Sequence, residues 1–506
     1  MTMFIGYGTI ALFFATVIVV LERSKRQSAN FTDYAVAGRA FGSWYQTMSF
    51  LNTWLPGTIF ISFAGLAAGT GVLGFYYLPY SLLAVVLMFF MAQRVHDWGR
   101  GFDLRTQAEF LGMRYHSRLV RIVAALIGVV SSFPWMILGM QSLGLVFSYL
   151  SFGRISAVTA IIIGVVVLAA RQVWTVRMGM RGVVISDMVQ GIVAYGLGLC
   201  IILGLLVWLL ANGHGLGQVP DAYFTIPGPG TVAGPLYLAS IVLTGALGGW
   251  CWPDIFVRLF TARSTRVIKS SAVQAAPILF LFGSGLTLVA ILASSVPGVA
   301  EAPDNVWFIT ASVGGVGLVT AAGVIVLAAT MGNVDANIQA VGAQITQDVL
   351  AVGDNNGNAR THVAKLCTTV LTLLAAAGAM LTAGSATGLV RLALLSYQGI
   401  VQLAPTLLLG IFWKRGNAAG AASAMLTGFA TAAALEWNYP LSVPWLGGLT
   451  SGVAGLAANT LVYLALAYAK PNSGAEQTRL AALFGGVTSM HGSGPGEGHS
   501  HPATAV

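Results

Sequence analysis

The chain has 506 residues, 56% of them hydrophobic and only 8% charged, against about 25% charged residues in a soluble globular chain. That balance excludes a soluble single enzyme, and the long continuous apolar runs exclude an outer-membrane barrel, whose strands alternate over about ten residues. At roughly 20 apolar residues per crossing, the length allows about a dozen helical spans, and the net charge of +9 is first to be read as topology rather than as a nucleic-acid footprint.

In chain order the apolar runs predict thirteen spans, near 4–21, 44–68, 75–93, 119–150, 155–170, 183–212 and 233–260, then 272–295, 312–346, 363–385, 388–412, 418–436 and 445–468. The first, Phe4 to Leu21, has no basic flank and no small-residue cleavage site, so it is expected to be retained. An odd number puts the termini on opposite sides. With the amino terminus outside, all of the 25 Lys and Arg except Arg154 and Arg391 fall on the cytoplasmic face, as the positive-inside rule requires. Cys200, Cys251 and Cys367 show no paired or metal-type spacing. Past Ala469 the composition turns polar and rich in Gly, Ser and Pro, which predicts a disordered cytoplasmic tail with a short helix around Thr478 to Leu483 and with His491, His499 and His501 near its end.

Irregular backbone survives at membrane depth only where protein or a water-filled cavity surrounds it, so interruptions point to sites. The second span reads LNTWLPGTIFISFAGLAAG with Pro56-Gly57, and the seventh reads TGALGGWCWPDIFVR with Gly248-Gly249 and Pro253. Proline removes an intrahelical donor and glycine permits unwinding. The two lie five spans apart, which predicts two inverted five-helix repeats, spans 2–6 and 7–11, each opened by a broken helix. The expected organisation is a first span and loop over 1–43, the inverted-repeat core over 44–412, two additional spans over 413–469, and the tail over 470–506.

Charged residues inside spans are costly and mark function or pairing. Asp254 lies four residues before Arg258 and is placed to pair with it, Arg391 is expected to snorkel from an outer helix end, and Asp187 in RGVVISDMVQG is read either as part of an ion pathway or as structural. Asp335 stands out in LAATMGNVDANIQAVGAQ, where Asn333, Asn337 and Gln339 concentrate oxygen in an apolar span. Oxygen suits Na⁺, and a protonatable carboxylate suits H⁺.

Several of these segments resemble the sodium:solute symporter family over about residues 30–435. They are DYAVAGRAFGSW, the loop RTQAEFLGMRYHSR, ISDMVQG, PDIFVRLFTA and QLAPTLLLGIFWKRGNAAGAASAMLTG. The resemblance implies a LeuT-type, all-α polytopic membrane fold of about thirteen helices in a cell membrane, with the amino terminus outside and the carboxyl end cytoplasmic. It also implies a cation site built from the Asn52 and Leu55 carbonyls, Ala329 and the positions of Gly332 and Asn333. The family run M-S-T-x-D-S-Q reads Met331, Gly332, Asn333, Val334, Asp335, Ala336, Asn337 here, so both hydroxyl positions are lost. Three coupling readings follow: Na⁺ held with help from Asn333 and Asp335, H⁺ carried by Asp335, or uncoupled movement.

The stretches GFYYLPYSLL and GVVSSFPWMILGMQ look most like the monocarboxylate permease branch. Trp54, Trp250 and Trp252 are available to line an apolar pocket, and Tyr397, Gln398 and Gln402 to offer polar contacts. The expectation is a secondary transporter, not an enzyme, with no organic cofactor and no nucleic-acid partner. It moves a small organic acid with Na⁺ or H⁺; an amino-acid or pantothenate-type symporter and a transporter-like solute sensor are the alternatives.

Overall fold

The structure, a computed structural model, describes residues 2–24, 30–226, 234–352, 359–382 and 395–485. Arg391 and the three tail histidines lie outside the described residues. Among the described residues the chain is helical, with only two isolated bridges, Phe41 to Ala262 and Val443 to Leu449.

Among the described residues eleven helices are long and apolar enough to cross a membrane, and twelve if Tyr237–Cys251 and Pro253–Thr261, bent by 50° against each other, form one span. The predicted second and third spans are both present within 43–101: Ser43–Trp54 and Ser62–Thr70 lie on either side of the first break, and Tyr77–Gly101 follows a turn at Gly71, where φ is 72°. Large apolar side chains such as Phe90, Val207, Leu373 and Leu461 point outward along the spans, each more than 60% exposed, as lipid-facing residues do.

At the first break the helix Ser43–Trp54 ends at Leu55, and Pro56 is extended with φ −67° and ψ 166°. The chain then makes one tight turn over Gly57–Phe60 and resumes as Ser62–Thr70. Gly57 is required there, since a Cβ would fall inside the van der Waals shells of Thr330 Oγ1 and the Val326 carbonyl. At the second break Tyr237–Gly248 ends in a short turn over Gly249–Cys251, Trp252 is extended, and Pro253–Thr261 follows with proline at its first position.

The centre of the bundle is the helix Gly315–Gln344, in which every residue from Ala322 to Gln344 is buried. A helix covered on all sides has no amphipathic face, and its many Ala and Gly residues let neighbours approach closely. The loop motif RTQAEFLGMRYHSR is itself a capped helix. Thr106 accepts the Glu109 N–H at 3.0 Å, the Glu109 carboxylate accepts the Arg105 N–H at 2.6 Å, and Ser117 caps the next helix, Arg118–Leu150.

The short helix expected around Thr478 to Leu483 runs over Gly474–Gly485, with Leu480 and Leu483 buried. Its apolar side finds a surface on the loop helix Gln107–Tyr115 and the end of Tyr77–Gly101, where Phe484 packs on Trp98 at 5.3 Å. Composition alone could not foresee this, because the partner surface is made by residues about 370 positions earlier.

Candidate functional site

The two breaks bring their aromatic residues together. Trp54 from the first and Trp250 from the second stand 6.4 Å apart between ring centroids. Trp54 also meets Tyr80 at 6.0 Å, Tyr80 meets Tyr397 at 6.4 Å, and Tyr397 meets Trp252 at 5.4 Å. Polar ring atoms are anchored outward: Trp54 Nε1 donates to Ser81 Oγ at 2.8 Å and Trp250 Nε1 to the Ala84 carbonyl at 2.8 Å. Between the breaks these rings form an aromatic cage, in which the Tyr80 and Tyr397 hydroxyls bond each other.

Trp135 closes that cage, 5.7 Å from Trp252 and 5.8 Å from Tyr397. It lies in the fourth-span stretch GVVSSFPWMILGMQ, but nothing in its spacing marks it as facing the breaks. Gln398 and Gln402 do not join the cage. Gln398 Oε1 accepts the Gly452 N–H at 2.8 Å, and Gln402 Nε2 donates to the Gly452 carbonyl at 3.0 Å, so both turn toward the last span, Ser451–Ala469. One residue of helix is a rotation of about 100°, which suffices to separate Gln398 from Tyr397.

Beside the cage lies a polar cluster. Asn52 Nδ2 donates to Asp187 Oδ1 and to Gln190 Oε1, both at 3.1 Å. Ser49 Oγ donates to Asp187 Oδ2 at 2.6 Å, and Arg258 Nη2 stands 3.0 Å from the same oxygen and donates to Thr53 Oγ1 at 2.9 Å. The Leu55 carbonyl at the break accepts the Tyr195 hydroxyl at 3.0 Å, which also reaches the Leu51 carbonyl at 2.8 Å. Asn333 Nδ2 donates to the Thr53 carbonyl at 2.9 Å, and its Oδ1 accepts from Trp135 Nε1 at 3.0 Å. The cluster therefore touches both broken helices and shares Trp135 with the cage.

Gly332 explains its own lack of a hydroxyl. A Cβ on it would collide with Asn52 Nδ2 and come within 2.7 Å of Asp187 Oδ1, so a carboxylate and an amide from other helices fill the space of the missing side chain. Ala329 is fully buried one turn earlier on the same helix. Asn52, Leu55, Gly332, Asn333 and Asp187 are thus brought together. Oxygen donors for a cation are present in the Leu51 and Leu55 carbonyls, Asn52 Oδ1, the Asp187 carboxylate and Gln190 Oε1. Among the described residues no group of three or more His, Cys, Asp and Glu is placed for a transition metal.

Asp335 makes no hydrogen bond to that cluster, although its partner Arg171 is close enough to interact electrostatically with Asp187. It forms a buried ion pair with Arg171 and accepts from Gln172 Nε2 at 2.7 Å. Residues two apart on a helix point about 200° away from each other, so Asn333 and Asp335 face opposite ways. Arg171, which the sequence assigned to a cytoplasmic loop, sits in the helix Ala157–Met178, which continues a further two turns beyond its predicted end. The expected Asp254–Arg258 pair is also replaced: Arg258 turns to Asp187, and Asp254 is buried with Oδ1 unpartnered. Tyr195, Gln190 and Ser49 escaped sequence reading, although Gln190 belongs to the quoted ISDMVQG segment.

On the Arg-rich side the site is closed by a second network. Gln107 Nε2 donates to the Trp250 carbonyl at 2.8 Å, Thr106 Oγ1 to Asp348 Oδ2 at 2.6 Å, and Arg121 Nε bonds Asp348 Oδ1 at 2.6 Å. These ties fasten the loop helix both to the second break and to the end of the central helix.

Two helices interrupted at matching places and wrapped by long unbroken ones define a membrane transporter of the LeuT-type fold. The chain belongs to the sodium:solute symporter family, whose model matches residues 34–428. It is 23% identical to the monocarboxylate transport permease protein of Rhizobium johnstonii over 89% of this chain and 94% of that one. Uncharacterized symporter YhjB of Bacillus subtilis is 26% identical, but over 51% of this chain and 53% of its own. Among solved structures, a Na⁺-coupled sialic acid symporter in its substrate-bound outward-open state superposes with a TM-score of 0.74 at 15% identity, covering 92% of this chain and 98% of that one.

Proposed function

We propose that this protein carries a small organic acid into the cell together with a cation, Na⁺ or H⁺. The observation that supports this reading is the contact between the aromatic cage and the oxygen-rich cluster, shared through Trp135 and Asn333. Trp54, Trp250, Trp252, Tyr397 and Trp135 enclose the apolar part of the solute. Its carboxylate takes the positive end of a half-helix. Of the two, the one starting at Ser62 has no acidic residue in its first turn, whereas the one starting at Pro253 carries Asp254.

The cation is held by Asn52, Leu55, Ala329 and the Gly332–Asn333 segment, with Asp187 as the carboxylate. Na⁺ entry there displaces the Tyr195 hydroxyl from the Leu55 carbonyl and moves Arg258 off Asp187; proton entry neutralises Asp187 and releases the same arginine. Either way, loading the cation loosens contacts that tie the first break to the second, which is what couples ion to solute. The name of the Rhizobium johnstonii relative supports a monocarboxylate as the solute. The protein sits in the cell membrane with its amino terminus outside and its carboxyl end cytoplasmic, the orientation that places the basic residues inside.

The test is uptake into liposomes holding the purified protein, with labelled lactate, pyruvate, alanine, proline and pantothenate under separate Na⁺ and H⁺ gradients. Accumulation of lactate or pyruvate driven by one of the gradients is the expected result. Accumulation of proline or pantothenate alone, or entry indifferent to both gradients, overturns it.

A further inference from the structure

A cavity of about 550 Å³ opens between the tail helix Gly474–Gly485 and the last span, lined by Lys414, Arg415, Tyr468, Asn472, Gln477 and Leu480 among others. It lies at the level where two spans end, since one stops at Phe412 and the other at Ala469. Tyr468 and Phe412 are exposed by 62% and 44% at that level, as aromatic residues are at the headgroup region of a bilayer.

Its charge is one-sided. No acidic residue lines it, and among the described residues neither Lys414 nor Arg415 has a carboxylate partner. They rest against rings instead, Lys414 5.8 Å from Phe484 and Arg415 5.3 Å from Tyr468. The one acid of the tail helix, Glu476, is taken: it binds Arg479 at 2.6 Å, and hydrogen bonds from that arginine hold its carboxyl below the usual range. Arg479 in turn donates to the Arg114 carbonyl at 2.8 Å and the Met113 carbonyl at 3.3 Å. Two cations with no carboxylate partner among the described residues thus face a cavity whose other wall holds Asn472 and Gln477. Gln477 Nε2 already gives one hydrogen to the Asn472 carbonyl at 2.8 Å and Asn472 Nδ2 reaches the Arg415 and Gly416 carbonyls at 3.4 Å, so each amide keeps at most part of its donor capacity for a ligand.

We propose that this cavity binds the phosphate group of an anionic lipid headgroup, with Lys414 and Arg415 on one side and Asn472 and Gln477 on the other. Basic pockets at the cytoplasmic ends of spans suit such headgroups. The bound phosphate pins the tail helix to the end of the last span; the tail helix in turn holds the loop helix Gln107–Tyr115 through Arg479, and that helix is bonded to the second break through Gln107 and Trp250. Lipid composition then sets how firmly the Arg-rich side of the site is closed. This inference does not depend on which solute or ion is carried.

The test measures amide hydrogen exchange over 474–485 in the full chain, in nanodiscs of phosphatidylcholine with or without phosphatidylglycerol. Protection is expected to rise with phosphatidylglycerol, by about fivefold for each cation and about 25-fold for the two together. The Lys414→Gln/Arg415→Gln variant loses that rise. Ala481→Trp keeps both charges but fills the cavity, and loses it too. Equal protection from inorganic phosphate in pure phosphatidylcholine discs assigns the same site to a free anion and overturns the lipid as its source. The site itself is overturned if neither lipid nor phosphate changes exchange in the wild type, or if Ala481→Trp responds as the wild type does.

Discussion

Two acid–arginine pairs lie inside the bundle, and they differ in what surrounds them. Asp187 and Arg258 are joined by Ser49, Asn52 and Thr53, so their hydrogen bonds run across both broken helices. Asp335 and Arg171 join two unbroken helices, with Gln172 as the additional donor. A buried ion pair is weak evidence for stability, because desolvation offsets most of the Coulomb gain, but removing one partner leaves a charge that nothing compensates. The first pair thus ties the broken helices to each other, and the second ties two continuous ones.

The sharpest way to break that contrast is to remove the charge at each site and then its partner. Asp187→Asn is expected to abolish most gradient-driven accumulation and to cost roughly 3–5 kcal/mol in stability by leaving Arg258 without its carboxylate. Adding Arg258→Gln restores the melting temperature but not accumulation, because the orphan charge is gone while the coupling group is still missing. Restored accumulation in that double variant removes Asp187 from coupling.

Asp335→Asn is expected to cost a similar roughly 3–5 kcal/mol in stability by stranding Arg171. Here the second change should rescue everything. Asp335→Leu with Arg171→Met regains the melting temperature and transports within about threefold of the wild type, as replacement of buried pairs by packed apolar groups generally permits. A double variant that folds normally and fails to concentrate solute would place Asp335 in the coupling mechanism after all and erase the distinction.

A smaller effect tests the packing at the first pair. Gly332→Ala forces a methyl group against Asn52 and Asp187, and overpacking of this kind costs typically about 1–3 kcal/mol. Half-maximal cation concentration should rise while the Arg171 side is undisturbed. An unchanged cation dependence means that the cluster relaxes freely and is not the coupling site.

Much of the fold was legible from apolar runs, because a bilayer demands a fixed length of apolar helix wherever the chain crosses it. The breaks were legible for a related reason: Pro56 and Pro253 each remove a helical donor close to glycines, and Gly57 and Gly249 leave room for neighbours, whereas Pro134 and Pro277, with no such glycines beside them, are carried inside continuous helices. The site was only half legible. Trp54, Trp250 and Trp252 sit next to the breaks in sequence, so finding the breaks found them, whereas Trp135 and Tyr195 come from helices that are neighbours only after folding. Asp335 shows where local reading stops: it lies two residues from Asn333, yet the helix turns the two side chains to opposite sides, one to Arg171 and the other to Trp135.

The sequence alone determined that the chain is a helical membrane protein, where it crosses, and where two crossings are interrupted, since these follow from local chemistry in a known solvent. Only the tertiary structure decided which acid meets which arginine, that Gly332 is empty because Asn52 and Asp187 occupy its space, and that the short tail helix is docked. Pairings of this kind depend on helix rotation and on neighbours hundreds of residues away, which no local pattern records.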